Sequence, residues 1–223
     1  MSDKGFRNVR EKLKNARGRK NSSQLWLRRH INDPFVQMAK KDGYRSRAAY
    51  KLTEIEEKFK LIKNAKSVVD LGCAPGGWLQ VVKRLSDNKD IEICGVDLLD
   101  ITPVKGVSFI QGDFTTQEVH NELEALIKGK ADLVISDMAA NATGNKDVDH
   151  LKNMHLIELA IEFCQGNLHK NGAFVAKALR GQQEEPIRKK MKEVFEDVFQ
   201  FKPKASYAGS TEVYYVCKTL KKD

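Results

Sequence analysis

Residues 67 to 78 read Ser-Val-Val-Asp-Leu-Gly-Cys-Ala-Pro-Gly-Gly-Trp, and this stretch decides the fold that the sequence predicts. Val68 to Leu71 form a short apolar run with β-branched residues, which is typical of a buried parallel strand. Three glycines and a proline follow, and they allow a sharp turn before helical spacing resumes at Trp78. A strand, a glycine loop and a helix in this order predict the first unit of an open α/β sheet, with a ligand site beyond the carboxyl end of the strand.

The spacing of these glycines limits the ligands that the loop could hold. A dinucleotide fingerprint needs a glycine where this chain has Ala74, and a P-loop needs G-K-[ST] where the chain has Gly-Gly-Trp. The loop therefore favours a nucleoside-bearing cofactor that lacks a phosphate. An ordinary tight turn between strand and helix explains a bare glycine cluster about equally well.

The positive charge of the chain is concentrated at its start. The net charge is +9, and residues 1–30 contain ten lysines and arginines against two acids, so the other 193 residues carry only +1. We predict that residues 1–23 are a disordered basic arm that binds RNA, a polyanion. A merely solubilising tail is the alternative, while Asp3, Glu11 and the scarcity of serine disfavour a mitochondrial transit peptide.

The remaining composition is typical of a soluble α/β protein, and we expect it in the cytoplasm. No apolar run is long enough to span a membrane, and no signal-peptide pattern is present. The four cysteines stand singly, at positions 73, 94, 164 and 217. We predict that they are small buried residues in a reducing compartment, with neither a zinc site nor a disulfide framework.

Beyond residue 24 the sequence alternates between apolar runs and helical spacing. Strands are predicted at 67–71, 91–97, 107–110, 131–136, 173–179, 198–202 and 212–218. Helices are predicted from Pro34 to Gly43, from about Ser46, from Trp78, at about 116–128 and 149–168, and from near Pro186. This alternation, without an internal repeat, predicts one doubly wound α/β domain over residues 24–223.

Carboxylates follow three of the predicted strands. Asp97 ends the second strand, Asp113 follows the third and Asp137 follows the fourth. One such Asp is usually a helix cap or a turn former. Three of them on successive parallel strands meet at one edge of the sheet, and Asp97 stands close to where an acid would accept the hydroxyls of a ribose.

Lys177 interrupts a strand that should be buried on both faces, where an unpaired lysine is rare. A lysine at a strand end that reaches solvent is the simple explanation. The functional one is an amine held near Asp137 and available as a base, with Lys51 as a second cation. A free lysine amine has a pKa of about 10.4, so such a base needs a setting that favours its neutral form.

Several separate motifs in order resemble the FtsJ/RrmJ family, the bacterial large-subunit ribosomal RNA uridine 2′-O-methyltransferases. They are Arg-Ser-Arg-Ala-Ala-Tyr-Lys51-Leu, the stretch ending in Gly-Gly-Trp78, Gln-Gly-Asp113-Phe, Ser-Asp137-Met-Ala, Phe-Val-Ala-Lys177 and Ser-Thr-Glu212-Val-Tyr. The resemblance runs from about residue 24 to the end. It implies a class I methyltransferase fold, in which helices cover both faces of a mostly parallel seven-stranded sheet.

The resemblance also implies roles for individual residues. The catalytic tetrad of the family falls on Lys51, Asp137, Lys177 and Glu212, with Lys177 as the general base. Contacts to S-adenosylmethionine fall on Gly76, Trp78, Asp97, Asp113 and Asp137. The implied substrate is a uridine ribose in ribosomal RNA, within the large subunit, and the implied enzyme is a monomer that needs no metal.

The chain departs from the family pattern mainly where RNA would be held. Ala140 stands where the family usually has proline, and the loop at 204–210 has less arginine than expected. The same chemistry on transfer RNA or an mRNA cap is the closest alternative. A nicotinamide dehydrogenase is disfavoured by Ala74, and a non-catalytic RNA-binding module has no need of the dispersed tetrad. If the arm does not bind RNA, Arg45, Arg47, Lys202 and Lys204 are the next candidates.

Overall fold

The computed structural model describes residues 21–141, 143–181 and 184–221. Within these ranges the strands are β1 (Ser67–Leu71), β2 (Glu92–Asp97), β3 (Ser108–Gln111), β4 (Ala131–Ser136), β5 (Leu168–Leu179), β6 (Phe195–Phe201) and β7 (Glu212–Leu220). The helices are α1 (Asn21–Ile31), α2 (Pro34–Asp42), α3 (Ala48–Phe59), α4 (Gly77–Leu85), α5 (Gln117–Ile127), α6 (Lys146–Asn167) and α7 (Glu184–Val194).

The strands form one sheet in the order β3-β2-β1-β4-β5-β7-β6. The pairs from β3 to β5 are parallel, whereas β7 runs antiparallel to both β5 and β6. The strand order reverses between β1 and β4, which are neighbours through pairs such as Val69 with Val134. In a doubly wound sheet, ligands bind beyond the carboxyl ends of the strands at such a reversal.

Two apolar layers cover the two faces of the sheet. Alternate residues of β1 divide between them, because successive side chains of a strand point to opposite faces. Val68 packs in the layer built with α3 and α4, and Val69 packs in the layer built with α5, α6 and α7. All five residues of β1 are buried, so the strand predicted from residues 67–71 lies in the interior of the sheet, between β2 and β4.

The predicted fold class is confirmed: seven strands form a mostly parallel sheet with helices on both faces. The α2 prediction is confirmed as well, since Asp33 accepts hydrogen bonds from the amides of Phe35 and Val36, and Gly43 ends the helix at φ 73°. All four cysteines are free and buried. None of the helices in the described ranges has the length and apolar character needed to cross a bilayer.

Residues 1–20, most of the predicted arm of residues 1–23, lie outside the described part of the chain. Two boundaries within the described ranges differ from the sequence prediction. Helix α6 begins at Lys146 because Asn145 caps it, three residues before the predicted start. Strand β5 begins at Leu168 and not at the predicted Ala173, and residues 169–171 are exposed near its start.

Candidate active site

The glycine loop between β1 and α4 is held close to its neighbours. The amide of Gly72 donates to the carbonyl of Val96 at 2.8 Å. Gly72 has φ 74°, and a Cβ built there would clash with Cγ of Met138. Both the backbone conformation and the contact with Met138 therefore exclude a larger side chain at Gly72.

Asp97 fixes this loop to the end of β2. Its Oδ2 accepts a hydrogen bond from the amide of Ala74 at 2.8 Å, and its Oδ1 accepts one from the amide of Leu99 at 2.9 Å. An ionised carboxylate has about four acceptor positions. Asp97 is thus anchored by the backbone and can still accept hydrogen bonds from a ligand.

A cavity of about 620 Å³ lies beyond the carboxyl ends of β1 to β4. Asp97, Asp113 and Asp137 all line it, as the positions of the predicted strands required. Asp113 is oriented by Thr115, whose amide and hydroxyl both donate to Oδ1. The apolar part of the wall includes Val96, Leu98, Leu99, Phe114, Leu156 and Leu159. This volume and mixture of walls are typical of a small-molecule site.

Two predicted contact residues lie outside the lining of that cavity. Gly76 has φ 96° and faces Arg45, whose Nη1 lies 2.6 Å from a Cβ built on the glycine. Trp78 is buried, and its Nε1 donates to the carbonyl of Ala48 at 2.8 Å. Trp78 instead lines a smaller cavity of about 170 Å³ with Asp70 and Asp137.

The tetrad residues come from four separate elements and meet beside this site. Lys177 on β5 lies 3.1 Å from Oδ1 of Asp137, and its Nζ also donates to the main-chain carbonyl of Asp137. Lys51 on α3 lies 2.9 Å from Oε2 of Glu212 and 3.7 Å from Oδ2 of Asp137. The four side chains are 11–21% exposed, so two cations and two anions are paired with little solvent between them.

Two further residues complete the tetrad's hydrogen bonds, and the sequence analysis missed both. The hydroxyl of Tyr214 donates to Oδ1 of Asp137 at 2.6 Å, and Ser206 donates to Oε1 of Glu212 at 2.6 Å. Burial, with the charges of Asp137 and Glu212, raises the pKa of Tyr214 well above its ordinary value, so the phenol remains a donor. Tyr214 could have been predicted from its spacing to Glu212, because residues two apart on a strand share a face.

Asp70 near the end of β1 is a buried acid, and one of its carboxylate oxygens has no hydrogen-bond partner in the described residues. That oxygen is Oδ2, and Asp70 is 1% exposed. Burial, followed by the charges of Asp137 and Asp97, raises the pKa of Asp70 well above its ordinary value. A carboxyl group in this setting resists ionisation.

Comparisons with known proteins agree with this geometry. The FtsJ-like methyltransferase family model matches residues 44–220, which include the whole tetrad. The chain belongs to the FtsJ-like methyltransferase family. Its curated relatives include the ribosomal RNA large subunit methyltransferase E of Erythrobacter litoralis, 47% identical with 95% of each chain covered. The protein of that name from Rickettsia akari is 46% identical, again with 95% of each chain covered.

A solved structure extends the likeness to three dimensions. The crystal structure of a ribosomal RNA methyltransferase from Plasmodium falciparum is 33% identical to this chain, with a TM-score of 0.72. The likeness covers 79% of this chain and 98% of that one. The resemblance predicted from the motifs is therefore confirmed, and the chain is an enzyme of the FtsJ-like methyltransferase family.

Most of the cations predicted as secondary RNA contacts serve the FtsJ-like fold itself. Arg45 donates to the carbonyls of Pro75 and Pro103 at 3.0 and 2.9 Å. Lys202 donates to the carbonyl of Ser210 at 2.6 Å.

Arg47 is the most deeply engaged of these cations. Its Nη1 lies 2.9 Å from Oδ2 of Asp33, its Nη2 donates to the carbonyl of Ala205, and its guanidinium lies 3.7 Å from the centre of the Tyr207 ring. Arg47 thus fastens α2 and the loop before β7 to the start of α3. Lys204 is exposed, and of the four it alone keeps its side chain clear of such contacts in the described residues.

Proposed function

We propose that this chain transfers a methyl group from S-adenosylmethionine to the 2′-hydroxyl of a uridine ribose in large-subunit ribosomal RNA. The observation that carries the proposal is the position of Asp137. It lines the 620 Å³ cavity and also pairs with Lys177 and Lys51. A small-molecule site and two lysines therefore meet at one carboxylate.

The residues of the cavity suit the proposed cofactor. S-adenosylmethionine supplies a methyl group already activated by its sulfonium centre. Asp97 would accept hydrogen bonds from the two ribose hydroxyls, since each of its oxygens has one backbone donor and further acceptor capacity. Asp113 would accept from the adenine amine, and Leu98, Leu99 and Phe114 provide apolar surface for the ring.

The surroundings of Lys177 suit a general base. A neutral amine has two N–H bonds and one lone pair, and Asp137 offers two acceptors, its main-chain carbonyl and Oδ1. With both N–H bonds directed at Asp137, the lone pair is left for the proton of the ribose hydroxyl.

The other tetrad members position the base. Glu212 holds Lys51 at 2.9 Å, and Ser206 holds Glu212. Tyr214 and the two lysines converge on Asp137. Such positioning places the attacking oxygen near the methyl group, and holding reactants in line supplies much of the acceleration of a transfer reaction.

The ribosomal substrate is supported by the names of the relatives from Erythrobacter litoralis and Rickettsia akari. A 2′-hydroxyl as acceptor also accounts for RNA, because DNA has none. We further propose that the ten bases of residues 1–30 help to hold this polyanion. The basic arm of residues 1–23 is part of that proposal.

The test is Lys177→Met, which removes the amine and keeps most of the side-chain volume. General-base catalysis contributes about 10²- to 10⁴-fold, so methyl incorporation into large-subunit RNA should fall by at least about 100-fold. Cofactor affinity, measured by calorimetry, should change by less than threefold or so because Lys177 does not line the cavity.

Lys189→Met on the exposed face of α7 is the matched control and should retain full activity. Activity of Lys177→Met within a few fold of the unchanged protein would remove Lys177 as the base. The substrate is tested by mapping 2′-O-methyl uridine in total RNA from cells with and without the protein. Loss of methylation only from transfer RNA or mRNA caps would contradict the ribosomal assignment.

A further inference from the structure

A second large concavity lies at the opposite edge of the sheet from the tetrad. Its volume is about 1040 Å³, and it is lined by the first residues of β1, β2 and β5 and by the end of β7, which runs in the opposite direction. We call it the amino-edge groove. Six lysines line it: Lys60, Lys66, Lys128, Lys130, Lys170 and Lys218.

The acids of the amino-edge groove are too few to neutralise all six lysines. Its acids are Asp90, Glu92 and Asp132. Glu92 is paired with Lys128 at 2.8 Å, and Asp132 accepts hydrogen bonds from the backbone amides of Lys66 and Ser67.

Four of the lysines therefore remain available to a ligand. They are Lys60, Lys66, Lys130 and Lys170, which are exposed and make no ion pair within the described ranges. An excess of unpaired cations in a concave surface attracts a polyanion.

The backbone of the groove gives an independent observation. Lys60, Lys128 and Thr219 have φ values of 55°, 48° and 59°, and they are the non-glycine residues with positive φ in the described chain. All three line the amino-edge groove. Left-handed backbone is unfavourable for residues with a Cβ, and it is often retained where the side chain has a function.

Two of these residues occupy positions where glycine would be less strained. Lys60 ends α3 and Lys128 ends α5, both in the left-handed conformation that usually takes glycine at a helix end. A lysine gains from the helix dipole anywhere in the last turn, so that gain does not require this position. The sequence keeps a positive charge at both turns, and both charges face the same groove.

We propose that the amino-edge groove binds the phosphate backbone of the substrate RNA at a point remote from the methylated ribose. This inference rests on the proposed function. Strands of five or six residues rise about 3.3 Å per residue, so the groove and the tetrad are separated by roughly 17–20 Å or more. A large folded RNA can reach both places, whereas a fragment of a few nucleotides cannot.

The first test reverses charges in the groove. In Lys66→Glu and Lys170→Glu, the slope of log affinity against log salt for a large-subunit RNA transcript should flatten by about 0.7 to 0.9 for each lost contact. Cofactor affinity should not change. Lys189→Glu, an exposed reversal on α7 outside the groove, is the control and should leave the slope nearly unchanged.

A second variant separates RNA binding from folding. Lys60→Gly removes a charge and also relieves the left-handed conformation. It should unfold at the same denaturant concentration as the unchanged protein or a higher one, and yet bind the transcript more weakly. Unchanged RNA affinity in Lys60→Gly and equal salt slopes in the two reversals would overturn the proposal.

RNA length provides the third test. An oligonucleotide of about four residues spans roughly 14 Å when stacked, so it should bind the charge-reversal variants and the unchanged protein equally. Equal losses for this oligonucleotide and for the transcript would contradict a remote contact. Failure of the proposed function is a different result, in which the unchanged protein binds the transcript without methylating ribosomal RNA.

Discussion

Tyr214→Phe tests the part of the tetrad that the sequence analysis missed. The substitution removes one hydroxyl, which donates to Oδ1 of Asp137 at 2.6 Å. Phenylalanine keeps the ring that lies 5.8 Å from Trp78, so packing should change little. A hydrogen bond to a charged group is worth about 1.5–3 kcal/mol, and the free energy of unfolding should fall by that amount.

The same substitution should affect the reaction more than binding. Asp137 keeps Lys177 at 3.1 Å and Lys51 at 3.7 Å but loses the short bond that orients its carboxylate. We therefore expect kcat to fall by roughly tenfold or more, with KM for RNA changing less, because the lost contact positions the reacting groups. Methyl incorporation at saturating cofactor measures kcat and the KM for RNA. Urea unfolding measures the loss of stability.

Tyr215→Phe on the same strand is the matched control. Tyr215 is also fully buried, but its hydroxyl donates to Glu184 at 3.0 Å, away from the tetrad. It should lower stability without lowering kcat. A double-mutant cycle of Tyr214→Phe with Asp137→Ala, which removes the acceptor, should show a coupling energy for unfolding of about 1.5–3 kcal/mol. A coupling near zero, or equal kcat for the two tyrosine variants, would refute this account of Tyr214.

Two further predictions concern acids at the edge of the sheet. Asp97→Ala should weaken S-adenosylmethionine binding roughly ten- to a hundredfold in calorimetry, because ligand donors and the amides of Ala74 and Leu99 lose their acceptor; unchanged affinity would place the ribose elsewhere. Asp70→Asn should change how stability depends on pH. Burial raises the pKa of Asp70, so the native state keeps its proton after the unfolded chain has lost its own near pH 4. The stability that this retained proton gives the native state is complete below about pH 4 and is lost as pH rises to the native pKa of Asp70. Asp70→Asn should therefore gain stability relative to the unchanged protein as pH rises from 4. A constant difference in urea midpoints between pH 4 and 9 would contradict the raised pKa.

Much of the candidate site could be predicted because parallel strands order it. Asp97, Asp113 and Asp137 each follow a strand of one parallel set, so their meeting at one edge follows from strand order alone. Lys177 stood out because it broke an apolar strand. Its approach to Asp137 is likewise a contact between neighbouring strands, β4 and β5.

Contacts between residues far apart in the chain could not be predicted from local sequence patterns. Lys51 and Glu212 are 161 residues apart, and they meet only because the antiparallel β7 brings its first residue to the catalytic edge beside α3. Arg47 was named only as a secondary candidate for RNA contact, and nothing in the local sequence shows that Asp33, Ala205 and Tyr207 surround it. The constraint on Gly72 is similar, because it arises from Met138 on another strand's loop.

The position of Asp137 determines which substitutions can separate binding from chemistry. Asp137 lines the 620 Å³ cavity proposed for the cofactor, holds Lys177 through two acceptors and accepts a hydrogen bond from Tyr214. Replacing it should therefore change cofactor affinity, base orientation and stability together, and a loss of activity would not identify the cause. Lys177 contacts Asp137 but does not line the cavity, so we expect its substitution to remove the proposed base while the cofactor still binds. If Lys177→Met lost cofactor affinity as strongly as an Asp97 variant, the cavity and the tetrad would form one binding site, and the separate role of Lys177 as base would fail.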